Sequence, residues 1–336
     1  MSRNTRVVLS SRPKGVPTPE HFRVEEAEVP EPGEGQFLVR NRYWSVDPTQ
    51  RGWANDAPNY LPPVAIDEVM RGFAVGEIVA SRHPDYAEGD VVSGLFGWQS
   101  HALSDGSNVT RKVLEGDMPL SYALGILGLN GVTAYFGLLD LCDPQPGETV
   151  VVSTAAGAVG SAVGQIARMK GCRTVGVAGG PDKTALCREK FGYDIAIDYK
   201  AGDIDAALTE ACPDGVDCYF DNTCGPISDA VMARLALRAR IVVCGTAAIT
   251  DWDPTPMGPR VHRQILVARA RMMGLIAFDY KHRWEEAVAD LTGWLRDGKL
   301  AANEHILDGP SAAPGAIEML YTGQNTGKLL IKVDAD

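Results

Sequence analysis

The pattern of apolar and polar positions changes character about a third of the way along the chain. Before residue 125 the apolar positions come in short Val-rich or aromatic runs punctuated by Gly and Pro, as in Gln36 to Val46, Val75-Gly-Glu-Ile-Val-Ala80 and Gly89-Asp-Val-Val-Ser93. Such runs, separated by turn residues, predict a β-rich, barrel-like domain with long loops. From about Gly131 two periods alternate. A strand is predicted at Thr149 to Ser153, a helix at Val159 to Met169, a strand at Arg173 to Ala178 and a helix at Asp182 to Phe191. Strands follow at Asp194 to Ile197, Val216 to Phe220 and Arg240 to Cys244, with a helical stretch over Pro226 to Leu237. This alternation predicts an α/β fold, a doubly wound parallel sheet with helices on both faces. After Arg260 come a helix, an apolar strand at Met272 to Phe278 and a helix at Trp284 to Asp297. The tail then returns to short strands ending in Lys328 to Val333, with the texture of the first third. The expectation is therefore an αβ domain over 129–300 inserted into a β-rich domain made of 1–128 and 301–336.

Composition narrows the function classes. The 336 residues, 45% hydrophobic and 22% charged, suit two globular domains rather than a disordered chain. Lys plus Arg number 32 against 43 Asp plus Glu, a net charge of −11, which argues against a general nucleic-acid binder and means that an anionic ligand needs a local positive site. No apolar run approaches the roughly 20 residues that cross a bilayer. The strand-like Val7-Val8-Leu9 is too short for a signal-peptide core. Seven cysteines, an odd number confined to the later part of the chain, fit reduced thiols better than a disulfide framework. Together these features predict a soluble, cytoplasmic protein.

The most informative segment is Val150-Val-Val-Ser-Thr-Ala-Ala-Gly157-Ala158-Val159-Gly160-Ser-Ala-Val-Gly164. A buried strand runs straight into a glycine turn and a helix with an apolar face. Gly157 and Gly160 would let the backbone approach a pyrophosphate held against free amides at the helix start, and Gly164 would bring the helix close to the sheet. A turn that binds nothing is the simpler alternative. Because the turn heads a full βα series, nucleotide binding is favoured. A dinucleotide-binding sheet of this type usually carries an acid at the tip of its second strand to take the ribose diol. Here that strand ends Val177-Ala-Gly-Gly-Pro-Asp-Lys183, with no carboxylate at the tip. Lys183 could neutralise a 2′-phosphate, so NADPH is favoured over NADH.

No metal site is predicted: no Cys precedes Cys142, and His21, His83 and His101 show no Cys/His spacing that would hold zinc. No G-x-S-x-G elbow marks a nucleophile. Cys224 and Cys244 fall at strand ends, where packing of a small residue accounts for them.

The residues resemble a known family, the zinc-independent medium-chain dehydrogenase/reductases, in the leukotriene B4 dehydrogenase / prostaglandin reductase and curcumin reductase branch. The resemblance covers almost the whole chain. It rests on Val46-Asp-Pro48 with Arg51-Gly52, on Tyr60-Leu-Pro-Pro63, on Gly97-Trp98 and on Gly128-Leu-Asn-Gly-Val-Thr-Ala-Tyr-Phe-Gly137. It continues through the glycine turn, Asp221-Asn222, Cys244-Gly245, Gly258-Pro259-Arg260 and Gly323-Gln-Asn325-Thr-Gly-Lys328. It implies a GroES-like domain completed by the tail, a Rossmann domain, NADPH as cofactor, and reduction of the carbon–carbon double bond of α,β-unsaturated ketones and aldehydes. Carried over by position, it implies that Gly157, Ala158, Val159 and Gly160 cradle the pyrophosphate and that Lys183 and Tyr199 hold the 2′-phosphate. Asn222, Cys244, Gly245, Leu275, Ile276, Ala277 and Asn325 would line the rest of the cofactor. A homodimer is implied too, with the apolar strand Met272 to Phe278 pairing with its copy at the sheet edge.

Two stretches depart from the family's wording. The loop after Cys244-Gly245 reads Thr246-Ala-Ala-Ile-Thr-Asp-Trp252-Asp-Pro-Thr-Pro-Met257, without the usual tyrosine, and the usual Asp-Pro-Tyr-Met-Arg is Asp47-Pro-Thr49-Gln-Arg51. Without a metal, the developing charge on a substrate carbonyl oxygen needs another donor. Tyr60, matching a substrate-contacting tyrosine of the family, is the catalytic candidate, with a loop tyrosine packing on Pro62 and Pro63 as its alternative. Trp252 and Met257 are candidate apolar substrate walls, with core packing as the alternative. Two other functions stay open: a quinone reductase with the same cofactor, and a non-catalytic NADPH-binding redox sensor.

Overall fold

The computed structural model describes residues 3–56 and 59–333, which divide into two compact units. The first opens with a ribbon in which β1 (Arg3–Leu9) pairs antiparallel with β2 (Phe22–Glu28). Next comes β3 (Phe37–Val46), which buries Phe37, Val39, Trp44 and Val46. Pro48 then precedes a short helix, α1 (Thr49–Ala54), as suits a residue with fixed φ and no N–H to donate. The strands β4 (Ala74–Ser81), β5 (Val91–Gly94), β6 (His101–Ser104) and β7 (Val109–Lys112) follow.

The second unit starts with α2 (Leu129–Phe136), which continues as a π-helical turn over Gly137–Cys142. It then alternates as the sequence predicts: β8 (Thr149–Ser153), α3 (Ala158–Met169), β9 (Arg173–Ala178), α4 (Pro181–Glu189), β10 (Ile195–Asp198), α5 (Ile204–Ala211), β11 (Val216–Asp221) and α6 (Gly225–Met232). The series continues with β12 (Leu235–Val243), α7 (His262–Ala268), β13 (Arg271–Gly274), a 3₁₀ segment at Ala277–Arg283 and α8 (Trp284–Arg296). All six strands are parallel, in the order β10-β9-β8-β11-β12-β13. That is the doubly wound order of a Rossmann sheet, which reverses direction between β8 and β11. Val151, Val175, Val177, Tyr219 and Ile241 form its buried centre with Val231 from α6.

The chain then returns to the first unit with β14 (Glu304–Asp308), α9 (Ala313–Thr322) and β15 (Lys328–Lys332). β15 runs antiparallel to β3 and parallel to β14, closing a seven-stranded sheet in the order β14-β15-β3-β4-β5-β7, with β6 also on β3. This is the β-rich, GroES-like partner of the Rossmann unit.

The second unit spans 125–303, against the 129–300 read from the sequence. Its ends are held by bonds that leave no trace in the hydrophobic pattern. Gly131 donates its amide to Gly125 at 3.0 Å; Gln165 on α3 exchanges two hydrogen bonds with the backbone of Ala301, at 3.0 and 2.8 Å; and Lys190 reaches Asn303 at 2.8 Å. Two other expectations need correction. The helix read as Pro226 to Leu237 stops at Met232, because Val216 donates to the Arg234 carbonyl and draws 235 onward into β12. The strand read as Met272 to Phe278 is only Arg271–Gly274, since the backbone turns into the 3₁₀ segment from Ala277.

The tail is fastened to the first unit by a buried ion pair. Lys328 Nζ lies 2.6 Å from Asp47 Oδ1, with the two side chains 4% and 8% exposed, and also donates to the Val46 carbonyl at 3.1 Å. The Ser45 hydroxyl donates to the other Asp47 oxygen, and the Asp47 amide donates to Gln50 Oε1 at 2.9 Å. Every group in this cluster is satisfied, so removing one member strands the others. Lys328→Ala should therefore lower the unfolding free energy of the first unit by about 3–5 kcal/mol, the usual cost of leaving a buried charge unpaired. Denaturant unfolding compared with wild type checks this; a loss under about 1 kcal/mol would class the pair with exposed ones.

Candidate active site

In the second unit the site is built at the carboxyl ends of β8, β9 and β11, around the point where strand order reverses. β8 leaves the sheet through Thr154, whose φ of 54° is an outlier for a β-branched residue. The Gly157 amide donates to the Thr154 carbonyl at 2.8 Å, and α3 starts there with no side-chain cap. The amides of Ala158, Val159 and Gly160 open the helix before any intrahelical acceptor is available, so they form a concentrated set of donors at the positive end of a dipole.

The glycines of this turn have different reasons. A Cβ on Gly160 would lie 2.3 Å from the Thr154 carbonyl oxygen, so the protein's own turn requires that glycine, whatever the loop binds. Gly164 makes room for a side chain. A Cβ on it would meet the Tyr193 ring at 2.1 Å, and the Tyr193 hydroxyl crosses to donate to the Gly160 carbonyl at 2.6 Å.

Beside this turn, the C-terminal end of β11 carries a buried carboxylate, Asp221, which the sequence reading quoted only as part of the Asp221-Asn222 motif and gave no role. Asp221 Oδ1 accepts from the Thr223 amide at 3.0 Å, the Cys224 amide at 2.9 Å, the Tyr219 hydroxyl at 3.0 Å and the Ser153 hydroxyl at 3.3 Å. The Ser153 hydroxyl also accepts from the Asn222 amide at 2.8 Å, and Asn222 Nδ2 donates to the Ser153 carbonyl at 2.7 Å. Asn222 is thus pinned across β8 and β11. The amides of Cys244 and Gly245 share the Asp221 carbonyl at 2.8 and 3.2 Å, which brings that turn to the same edge. Burial pushes the Cys244 thiol up to about 12, with the Asp221 charge adding to the rise, so it is no nucleophile at neutral pH. Leu275 and Ala277 are buried and Ile276 is exposed, in the segment that follows β13.

At the tip of β9, Gly180 starts α4 and donates its amide to Asp198 at 2.8 Å. Lys183 is half-buried on the first turn of α4. Burial pushes its ammonium below the ordinary lysine range, and the neighbouring Lys200 charge lowers it further. The Lys200 ammonium lies 5.9 Å from the Tyr199 ring, and a Cβ on Gly179 would touch both the Tyr199 ring and the Lys200 stem at 2.9 to 3.0 Å. Asp198 spends an oxygen on the amides of Gly180 and Lys200 and does not pair with Lys183. Lys183, Tyr199 and Lys200 therefore form a positive patch that repels itself and gains by holding an anion. Lys200 was missed from sequence, although its place directly after Tyr199 could have flagged it. Uncapped helix amides beside a lysine pair form a donor set that fits the pyrophosphate and 2′-phosphate of NADPH.

Trp252 and Met257 lie in the loop before α7 and are 54% and 96% exposed, so neither packs in the core. Among the described residues, no cluster of His, Cys, Asp and Glu could hold a metal ion.

In the first unit, Tyr60 is 48% exposed. Its ring stands edge-on to the buried Trp53 at 6.4 Å, and its hydroxyl is hydrogen-bonded to that of Thr49. The Arg71 guanidinium lies 5.5 Å from the Trp53 ring and donates to the Pro62 carbonyl at 2.6 Å. Tyr60 thus packs its ring on Trp53 and holds its hydroxyl against Thr49. Asn325 donates its side-chain amide to the Gly327 carbonyl at 3.1 Å, in the turn before β15.

Comparison with known proteins agrees with this architecture. A family model described as the N-terminal domain of oxidoreductase matches residues 5–112, and one described as zinc-binding dehydrogenase matches 158–293. The NADPH-dependent curcumin reductase of Escherichia coli (strain K12) is 45% identical over 341 residues, covering 99% of this chain and 98% of the relative. The NADP(+)-dependent 2-alkenal reductase of Nicotiana tabacum is 36% identical, over 99% of this chain and 98% of its own. The crystal structure of CurA from Vibrio vulnificus in complex with NADPH is 42% identical, with a TM-score of 0.93 over 99% of this chain and 100% of that one. Identity at this level along nearly the whole chain makes it a member of the medium-chain dehydrogenase/reductases, in the zinc-independent branch of the curcumin and 2-alkenal reductases.

Proposed function

We propose that this chain is an NADPH-dependent reductase of the carbon–carbon double bond of α,β-unsaturated ketones and aldehydes. The observation that carries the reading is the pairing of whole-chain likeness to a curcumin reductase with a donor set suited to a 2′-phosphorylated dinucleotide. In this reading Gly157, Ala158, Val159 and Gly160 hold the pyrophosphate through their backbone. Lys183 and Tyr199, with Lys200 added from the geometry, hold the 2′-phosphate, while Asn222, Cys244, Gly245, Leu275, Ile276, Ala277 and Asn325 contact the rest. The bound cofactor supplies a hydride, one hydrogen with two electrons, to the β-carbon of the substrate.

The chain's own groups then manage the charge that this transfer creates. As the double bond is lost, negative charge collects on the carbonyl oxygen, and the Tyr60 hydroxyl donates a hydrogen bond to it. A proton taken up from water at the α-carbon balances the hydride and completes the saturated carbonyl product. Trp252 and Met257 are proposed to wall the substrate. The seven cysteines are free thiols, which suits a reducing compartment such as the cytoplasm. We further propose a homodimer formed through β13. That strand is the sheet edge, Met272 on it is 42% exposed, and Leu266 and Val267 of the preceding α7 are 76% and 63% exposed, so an apolar edge awaits cover.

Incubation with benzylideneacetone should consume NADPH and yield the saturated ketone in equal amounts by mass spectrometry. Consumption with quinones alone would replace the reading with quinone reduction, and consumption with neither would end it. Tyr60→Phe should lower kcat by roughly 10- to 10³-fold, with NADPH affinity nearly unchanged.

Lys183→Ala should weaken NADPH binding by about 10- to 100-fold in a fluorescence titration, the worth of one charge-assisted bond, and NADH binding by less than about twofold. Equal losses for the two cofactors would remove Lys183 from the phosphate site.

Sedimentation should give twice the mass of the chain. A concentration-independent monomer would exclude the dimer.

A further inference from the structure

Thr49 stands at the start of α1, in the stretch where the chain departs from the family's tyrosine. Its place is fixed from both sides. Asp47 is held by Lys328 and Ser45, the Pro48 carbonyl accepts from the Tyr321 hydroxyl at 3.2 Å, and Gln50 joins the Asp47 amide to the Arg71 carbonyl at 2.9 and 3.0 Å. The hydroxyls of Thr49 and Tyr60 meet directly. A hydroxyl carries one proton and donates once. If Tyr60 spent its proton on Thr49, none would remain for a substrate oxygen.

We propose that Thr49 is a positioning residue for the reduction: its hydroxyl donates to Tyr60 Oη, which leaves the phenolic proton for the substrate carbonyl oxygen. This rests on Tyr60 being the carbonyl donor. An oxygen that receives a hydrogen bond donates its own more strongly, because each bond in a chain polarises the next. Burial raises the Tyr60 phenol above its ordinary range, the Thr49 bond opposes that rise, the Asp47 carboxylate adds to it, and the Trp53 side chain and the Arg71 guanidinium oppose it. Thr49 is thus a neutral group that aids the donor without bringing a charge of its own.

The test uses Thr49→Val, Thr49→Ser, Tyr60→Phe and the double variant Thr49→Val/Tyr60→Phe. Steady-state turnover of benzylideneacetone is one readout, and ultraviolet titration of Tyr60, isolated as the difference from Tyr60→Phe, is the other. Valine keeps the shape of threonine and removes the donor. We expect Thr49→Val to cost roughly 2- to 12-fold in kcat, the worth of one neutral hydrogen bond, with KM little changed, and to displace the Tyr60 titration upward. Thr49→Ser should restore both, and Thr49→Val should cost nothing further once Tyr60 is Phe. If Tyr60→Phe is slow while Thr49→Val turns over at the wild-type rate with an unmoved titration, the positioning role is overturned and the Tyr60 reading stands. Wild-type turnover by Tyr60→Phe overturns both. An equal loss from Thr49→Val with and without the Tyr60 hydroxyl overturns the proposal as well, since Thr49 would then act by another route.

Discussion

The ion pair between Lys328 and Asp47 is the contact on which the first unit hangs. It joins residues separated by 281 positions and is almost wholly withdrawn from water. Such a pair contributes little net stability over an apolar substitute, because desolvation offsets most of its attraction, but it tolerates only one arrangement. It is therefore a device for specificity of position. Its charge is shared with the Ser45 hydroxyl and the Val46 carbonyl, and the Pro48–Gln50 turn leaves from it toward Trp53, Tyr60 and Arg71. A change at Lys328 would therefore be felt at the Tyr60 hydroxyl without touching it.

The second unit solves a similar problem with one charge. Asp221 sits at the end of a central strand with no cationic partner among its hydrogen bonds, and neutral donors from Ser153, Tyr219, Thr223 and Cys224 converge on it. Several N–H and O–H groups converging on one carboxylate offset the cost of taking it out of water. Together with the Asp221 main-chain carbonyl, which accepts from the Cys244 and Gly245 amides, that carboxylate ties the ends of β8, β11 and β12 to one another.

Much of this was legible in the sequence, because hydrophobic period and glycine placement are local. The bounds of β8 and β9 match their expected ranges, and α3 differs by one residue, since a buried strand of Val150, Val151 and Val152 running into a glycine turn permits few alternatives. Lys183 was singled out by the absence of an acid at a strand tip. What escaped notice depends on contacts between distant residues. The stretch up to Leu237 reads as helix, yet the carbonyl of Arg234 is claimed by Val216 and Arg238 takes a φ of 64°, so the chain from Leu235 joins β12. Asp47 and Lys328 are ordinary surface-type residues until the sheet closes around them. Gly164 looked like a helix-packing glycine, and only the Tyr193 ring above it explains why no side chain fits. Thr49 drew attention only as a departure from the family's tyrosine; its meeting with Tyr60 is visible only in three dimensions.

The order in which the two units are written into the chain bears on how the protein is made. Every strand of the Rossmann sheet is complete by residue 303, whereas the first unit lacks β14 and β15 until the segment after it has been synthesised. On the ribosome, the inserted unit can fold while the earlier segment waits with β3 uncovered along the edge that β15 will take. An uncovered strand edge invites pairing with other chains. The lysine that ends the wait carries its charge into the gap and meets a carboxylate that no apolar intruder could satisfy. A strand that brings a cation into this register is thereby favoured over one that would leave Asp47 buried and unpaired.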